Sequence, residues 1–312
     1  MALSKYKKLR VGVFSGGASS ERAVSLRSGR AVQKALLEAG VSVIPIDPRN
    51  PRRLQSALSQ INLAFLALHG KGGEDGSIQA RLEKAGIPYV GSDPLGSRTA
   101  FQKVKAKRIF EREGIPTPPW RTFTPRDWQK LQNFPAPFFV KPVAEGSSIG
   151  VFLVEDFAQS VEKITQALVR YPVLLAEKKI VGREFTVGIL GNRALPVVEL
   201  RPRRSFYDYR AKYTRGMTKY LVPAPIPLDW RRRFQRLALR VHQALGLRDF
   251  SRIDLMAEGD GVPFVLEANT IPGFTELSLL PKAAQEAGIS FERLCLELVG
   301  MAWKRQNGKT KT

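Results

Sequence analysis

The sequence is short of several things, and each shortage excludes a class of function. It has one cysteine, Cys295, so no internal disulfide framework can form, which fits a reducing compartment. It has two histidines, His69 and His242, and no zinc-ligand spacing. No apolar run approaches the length of a membrane span. The basic start, residues 1–10, is not followed by an apolar core of the secretory kind. The expectation is a cytoplasmic chain with no signal peptide and no membrane insertion. Acidic residues are also scarce: 28 Asp and Glu stand against 50 Lys and Arg, a net charge of +22. The excess is spread along the chain, with small clusters at 201–204, 231–233 and from Lys304 onward. No aromatic-interleaved or zinc-based recognition module accompanies it, so it reads as a solvated basic surface with no nucleic-acid partner.

What is present is enough for two or three packed units: 312 residues, 43% of them hydrophobic. Over the first stretch, strands at 9–14, 41–46 and 63–68 alternate with helices at 20–39 and 51–60. Gly40 is placed to stop the first helix. This alternation predicts a parallel sheet covered by helices, with ligand loops at the carboxyl ends of strands, here 15–21 and 69–77. Further on, the pattern predicts helices at 98–112 and 156–169 and strands at 137–142, 149–154 and 173–177. Strands at 184–190 and 196–200, a polar aromatic loop at 203–218 and a long helix at 228–245 come next. Strands at 250–257 and 262–268, helices near 279–287 and 291–303, and a polar tail from Lys304 complete the reading. His242 and Cys295 fall on helical packing positions and read as structural.

The sharpest chemical pattern is Arg252-Ile-Asp254 followed by Leu266-Glu267-Ala268-Asn269. Glu258-Gly-Asp-Gly261 between them is a turn signal, so the two runs should form a hairpin. If Ala257 pairs with Val262, Arg252 faces Glu267 and Asp254 lies one diagonal step away. Alternation then puts Arg252, Asp254, Glu267 and Asn269 on one side. Ile253, Leu255, Leu266 and Ala268 fill the apolar side. Clustered hard oxygen ligands suit Mg²⁺, which keeps positions open for phosphate oxygens. The alternative is a buried salt-bridge network of Arg252 with the two acids. A second pattern runs from Phe139 through Lys141 to Gly150: a strand ending in lysine, then a small-residue loop whose N–H groups could cradle phosphate. It is not a Walker A loop, and an ordinary hairpin turn is the competing reading. Glu177-Lys178 closes an apolar strand, and residues 206–213 form an aromatic, lysine-bearing loop of the kind used as a lid. Each has a bland alternative, a surface strand end and a plain surface loop.

Together these motifs resemble the D-alanine–D-alanine ligases of the ATP-grasp superfamily, from about Val11 to Val299. The likeness rests on residues 15–26, 67–76, 140–148, 206–213, 252–254 and 266–273, which occur in the family's order. It implies an ATP-grasp α/β fold: an N-terminal Rossmann-like parallel-sheet domain over 1–92, a small central α+β domain over 93–180, a larger C-terminal α+β domain over 181–306, and a tail over 307–312. By the same resemblance, Glu21 binds the ammonium of the first D-alanine and His69 lies near its carboxylate. Lys103, Lys141 and Lys212 contact ATP phosphates, and Glu177, Lys178, Ile180 and Glu184 hold adenine and ribose. Asp254, Glu267 and Asn269 take two Mg²⁺ ions, with Mn²⁺ as a substitute. Arg252 and the Gly273 backbone stabilise a tetrahedral intermediate, and Ser278 and Leu279 receive the second D-alanine. Ser147 and Tyr213 join Glu21 in a hydrogen-bonded set. The implied activity is ATP-dependent formation of D-alanyl-D-alanine through an acyl phosphate, for peptidoglycan precursor synthesis, in a homodimer. A ligase making D-alanyl-D-lactate is the neighbouring alternative, against which Lys212-Tyr213 argues. A catalytically silent binding protein is the other, against which the intact charged set argues. The sequence departs from the family pattern at Gln102, before Lys103, and at Arg210 in the loop.

Overall fold

The computed structural model describes residues 9–203 and 216–309. The chain opens with β1 (Arg10–Phe14), α1 (Arg22–Glu38), β2 (Ser42–Ile46), α2 (Pro51–Leu58), β3 (Leu63–Leu66), α3 (Ser77–Lys84) and β4 (Tyr89–Val90). The strands form a parallel sheet in the order β2-β1-β3-β4. β1 and β3 are almost wholly buried, as expected for parallel strands covered on both faces. Gly40, with φ +75°, takes the left-handed turn that lets the chain leave α1 for β2.

Next come α4 (Pro94–Phe101), α5 (Lys103–Arg112), β5 (Trp120–Phe123), β6 (Phe138–Pro142), β7 (Phe152–Val154), α6 (Phe157–Arg170) and β8 (Leu174–Lys178). These strands pair antiparallel in the order β5-β8-β6-β7. Asp156 caps α6 by accepting from the Gln159 N–H at 3.0 Å. The remainder is β9 (Arg183–Leu190), β10 (Arg193–Ala194), β11 (Val198–Pro202), β12 (Thr218–Leu221), α7 (Leu228–Ala244), β13 (Phe250–Ala257), β14 (Pro263–Asn269), α8 (Leu279–Glu286) and α9 (Phe291–Lys309). Its antiparallel sheet runs β12-β11-β9-β13-β14, with β10 on β9.

Three differences from the sequence reading have physical causes. The single helix expected over 98–112 is two helices broken at Gln102, which is extended at φ −87°, ψ 96°. The Lys103 N–H is used elsewhere, donating to the Val143 carbonyl at 3.0 Å, and the break aims α5 at the strand β6 loop. The hairpin pairs one residue out of the expected register: the Glu258 N–H donates to the Val262 carbonyl, and Ala257 faces Pro263 rather than Val262. A β-bulge between Asp254 and Leu255 then shifts the register again, so Asp254 faces Glu267 and Arg252 faces Asn269. Leu266, expected in the core, is the extra residue of the bulge and turns to a cavity wall. Val265 fills the core in its place. Finally, the helix expected to end at Trp303 continues to Lys309. Its last turns are anchored, because Arg305 forks onto Asp249 at 2.5 and 3.0 Å and donates to the Tyr89 carbonyl at 2.8 Å. Short elements β4, α3, β5, β10 and β12 carry too little periodicity to be read from sequence.

The C-terminal helices return to the first sheet. Phe274, 1% exposed, meets Phe65, Phe250 and Phe291 at ring-centroid distances of 5.5, 5.7 and 5.5 Å. This aromatic hub ties the segment after β14 to the parallel sheet.

Candidate active site

Between the central and C-terminal sheets lies a cavity of about 530 Å³. Its walls include Lys103, Lys141, Gly146, Ser148, Glu177, Lys178, Ile180 and Glu184, together with Asp254, Leu266 and Glu267. The nucleotide and metal candidates therefore converge, apart from Asn269, which reaches the set through Asp254, and Lys212, which lies outside the described residues. At one end Lys103 donates to the Glu145 carbonyl at 2.5 Å and approaches Glu267 Oε2 at 4.0 Å. In the middle, Lys141 hydrogen-bonds to Glu177 Oε1. At the other end the buried Glu199 takes both Arg183 and Arg201, each through two N–H bonds.

Sequence reasoning missed Lys107. It is 2% exposed, sits behind Glu177, and reaches Glu177 Oε2 at 2.5 Å and Thr117 Oγ1 at 2.6 Å. Thr117 Oγ1 in turn donates to the Val265 carbonyl at 2.8 Å. Burial pushes the Glu177 carboxyl up, but the Lys107 and Lys141 ammonium groups outweigh it and hold the group below its usual range. The only sequence signal was the spacing from Lys103, one helical turn away.

The hairpin acids carry their own network. Arg252 forks onto Asp254, Nε to Oδ1 at 2.8 Å and Nη2 to Oδ2 at 2.7 Å. Thr186 Oγ1 donates to Oδ1 at 2.7 Å and Asn269 Nδ2 to Oδ2 at 3.0 Å. The salt-bridge alternative considered from sequence is thus present for Asp254, whereas Glu267 lies beside Lys103.

A second group adjoins the cavity. Ser147 and Ser148 adopt left-handed φ of 52° and 59°, a costly conformation for non-glycine residues. It brings Ser147 Oγ to Glu21 Oε1, to which it donates. Gly146 and Gly70 lie so close to Glu21 that a Cβ on either would meet its Oε2 at 2.8 and 2.9 Å. His69 Nδ1 lies 2.9 Å from the Ile271 carbonyl, and Nε2 lies 3.1 Å from Ser28 Oγ, which accepts from the Phe274 N–H at 3.1 Å. The carbonyl contact puts a proton on Nδ1, and burial lowers the ring's pKa, which favours the neutral form. Glu74, unassigned from sequence although inside the His69 motif, accepts from the Gly70 N–H at 2.8 Å and the Ile271 N–H at 3.4 Å. Burial and the neighbouring Glu21 push its carboxyl up to about 8. Gly273 lies in the same segment, where an added Cβ would meet Ser278 Oγ at 3.1 Å. Ser278 Oγ accepts from the Thr275 N–H at 3.0 Å. The Leu279 side chain is buried in the core, so only its backbone could face a ligand. Tyr213 lies outside the described residues.

Profiles of known families match both parts of the chain: one described as D-ala D-ala ligase N-terminus over residues 47–92, the other as D-ala D-ala ligase C-terminus over residues 109–300. The chain belongs to the D-alanine–D-alanine ligase family. A D-alanine–D-alanine ligase of Acinetobacter baumannii (strain AYE) is 44% identical over 297 residues, 93% of this chain and 95% of the relative. That of Methylacidiphilum infernorum is 41% identical, covering 94% and 96%. Among solved structures, a Bacillus anthracis D-alanine–D-alanine ligase complexed with ATP aligns with a TM-score of 0.86 at 32% identity, covering 96% and 99% of the chains. The VanG D-Ala:D-Ser ligase from Enterococcus faecalis aligns at 0.81 and 29%, covering 94% and 99%. The expected ATP-grasp fold is thereby borne out.

For a D-alanine–D-alanine ligase chain, the metal question falls on Asp254, Glu267 and Asn269. No cluster of three or more His, Cys, Asp or Glu side chains placed to hold an ion occurs among the described residues. Two carboxylates and an amide are nevertheless the sparse, all-oxygen set that Mg²⁺ accepts, since it keeps water and phosphate oxygens for its other positions. The chemistry fits, on one condition. Asp254 already receives four donors, so it reaches a cation only by exchanging some of them. Rotating the Asn269 amide would replace its Nδ2 with Oδ1 and release one.

Proposed function

We infer that this chain catalyses ATP-dependent joining of two D-alanine molecules into D-alanyl-D-alanine, for peptidoglycan precursor synthesis. The observation that carries the reading is the convergence on one cavity of Lys103, Lys141, Asp254 and Glu267, beside the Glu21–Ser147 pair. A carboxylate is a poor electrophile. One carboxylate oxygen of the first D-alanine bonds to the γ-phosphorus as the bond to the β,γ-bridging oxygen breaks, giving an acyl phosphate and ADP. Lys103 and Lys141 lie where they can offset charge on the phosphates. Mg²⁺, held by Asp254, Glu267 and Asn269, would neutralise phosphate oxygens and polarise the transferring group. The amine of the second D-alanine then attacks the acyl carbon, loses a proton as the C–N bond forms, and displaces phosphate. Arg252 and the Gly273 N–H would stabilise the oxyanion of that step. Glu21, buried under the Ser147 loop, supplies the negative charge for the first substrate's ammonium. His69 stays a neutral donor and acceptor in the substrate wall. Lys178, Ile180 and Glu184 with Glu177 form the adenine and ribose end.

Aligned by structure, identity is 32–35% to the Bacillus anthracis D-alanine–D-alanine ligase and 29% to the D-Ala:D-Ser ligase, a difference of a few points that supports D-alanine as second substrate. No helix among the described residues is long and apolar enough to cross a membrane. The family resemblance supports a homodimer acting in the cytoplasm. Purified protein with ATP, Mg²⁺ and D-alanine, with and without D-lactate or D-serine, should release phosphate in a D-alanine-dependent way and yield the dipeptide. Phosphate release that ignores D-alanine would reject the reading.

A further inference from the structure

A buried lysine needs a reason, because desolvating an ammonium is costly even when it is paired. Lys107 is 2% exposed and so is its partner Glu177. The lysine lines no part of the nucleotide cavity. Glu177 does, and its other oxygen holds Lys141. The three side chains therefore form a row, Lys107–Glu177–Lys141, with only its last two members at the wall.

We propose that Lys107 is a positioning residue for nucleotide binding: by serving as the second counter-charge of Glu177, it leaves the charge of Lys141 effective toward the phosphates of ATP. The row carries two positive charges and one negative. Without Lys107, Glu177 and Lys141 form a neutral pair, and the cavity loses one unit of positive charge next to the phosphate candidates. Lys107 also holds Glu177 in place from behind through Thr117 and the Val265 carbonyl, one residue before the bulge that puts Leu266 and Glu267 on the wall. The proposal rests on the reading of Lys141 as a phosphate contact.

The measurement is the ratio of dissociation constants for adenosine and ATP, by calorimetry, on the full chain. Adenosine lacks phosphates, so the ratio isolates the phosphate contribution. Lys107→Met should lower the ratio on the order of tenfold, mainly through ATP. Lys107→Arg, which keeps the charge, should restore most of it. The double variant Lys107→Met with Glu177→Gln removes the buried anion together with its second counter-charge and carries the same net charge as the natural row. Losing the Glu177 contact to adenine and ribose weakens both ligands alike, so only the ratio is compared. Its ratio should stay within about threefold of the unsubstituted protein. An unchanged ratio in folded Lys107→Met, equal weakening of adenosine and ATP, or a tenfold fall in the double variant would each overturn the proposal. If the unsubstituted protein binds ATP no tighter than adenosine, the phosphate reading itself fails, an outcome distinct from these.

Discussion

Replacing Glu267 with glutamine keeps the side chain's shape and removes one of the two hairpin carboxylates on the cavity wall, the other being Asp254. The folding cost should be small. The carboxylate is 33% exposed and its Lys103 contact is at 4.0 Å. A contact that long, with the carboxylate a third exposed, contributes no more than about 1 kcal/mol even though Lys103 itself is only 14% exposed. The catalytic cost should be large, because a neutral amide neither binds Mg²⁺ well nor offsets its charge. A loss of about a thousandfold in kcat, on the order of 4 kcal/mol of transition-state stabilisation, is expected. Phosphate release would be followed across a Mg²⁺ titration, alongside a thermal melt. The expected result is an unshifted melt, greatly reduced turnover and a higher Mg²⁺ requirement. Turnover within tenfold of the unsubstituted enzyme at limiting Mg²⁺ would remove Glu267 from the metal set. A collapsed melting temperature would mean that its role is structural.

Gly146→Ala places a methyl 2.8 Å from Glu21 Oε2, so the D-alanine KM should rise about tenfold with less change in the ATP KM; equal changes in both would contradict the placement of Glu21. Phe274→Ala empties the centre of the aromatic hub and should cost about 3–5 kcal/mol in urea unfolding, and a loss under 1 kcal/mol would show the hub to be slack. Burial, outweighing the nearby Asp249 carboxylate, holds the pKa of His242 down to about 4 from 6.5. The unfolded chain then protonates first as the pH falls, so up to about 3 kcal/mol of stability is lost between pH 6.5 and 4. His242→Gln should show a shallower decline than the unsubstituted protein over that interval, and parallel declines would refute the reasoning.

Much of the site could be read from the chain because local rules govern it. Alternation along two strands put Arg252, Asp254, Glu267 and Asn269 on one face even though the register was off, since correction by two residues preserves parity. The same rule failed for Leu266, because a bulge interrupts alternation and nothing in the local composition announces it. Helical periodicity found α5 but not its break at Gln102, which depends on a carbonyl 41 residues away at Val143.

The sequence by itself determined which chemical groups are available and in what order: a lysine-tipped strand, a small-residue loop, a hairpin with paired acids, and too little cysteine or histidine for other chemistries. Only the tertiary structure decided what each group touches. It set His69 against Ile271, 202 positions away, buried Lys107 against Glu177, and engaged all of Asp254's acceptor positions with protein donors. The physical reason is that periodicity is a property of neighbours along the chain. Burial and charge pairing depend instead on which distant segments the hydrophobic cores bring together.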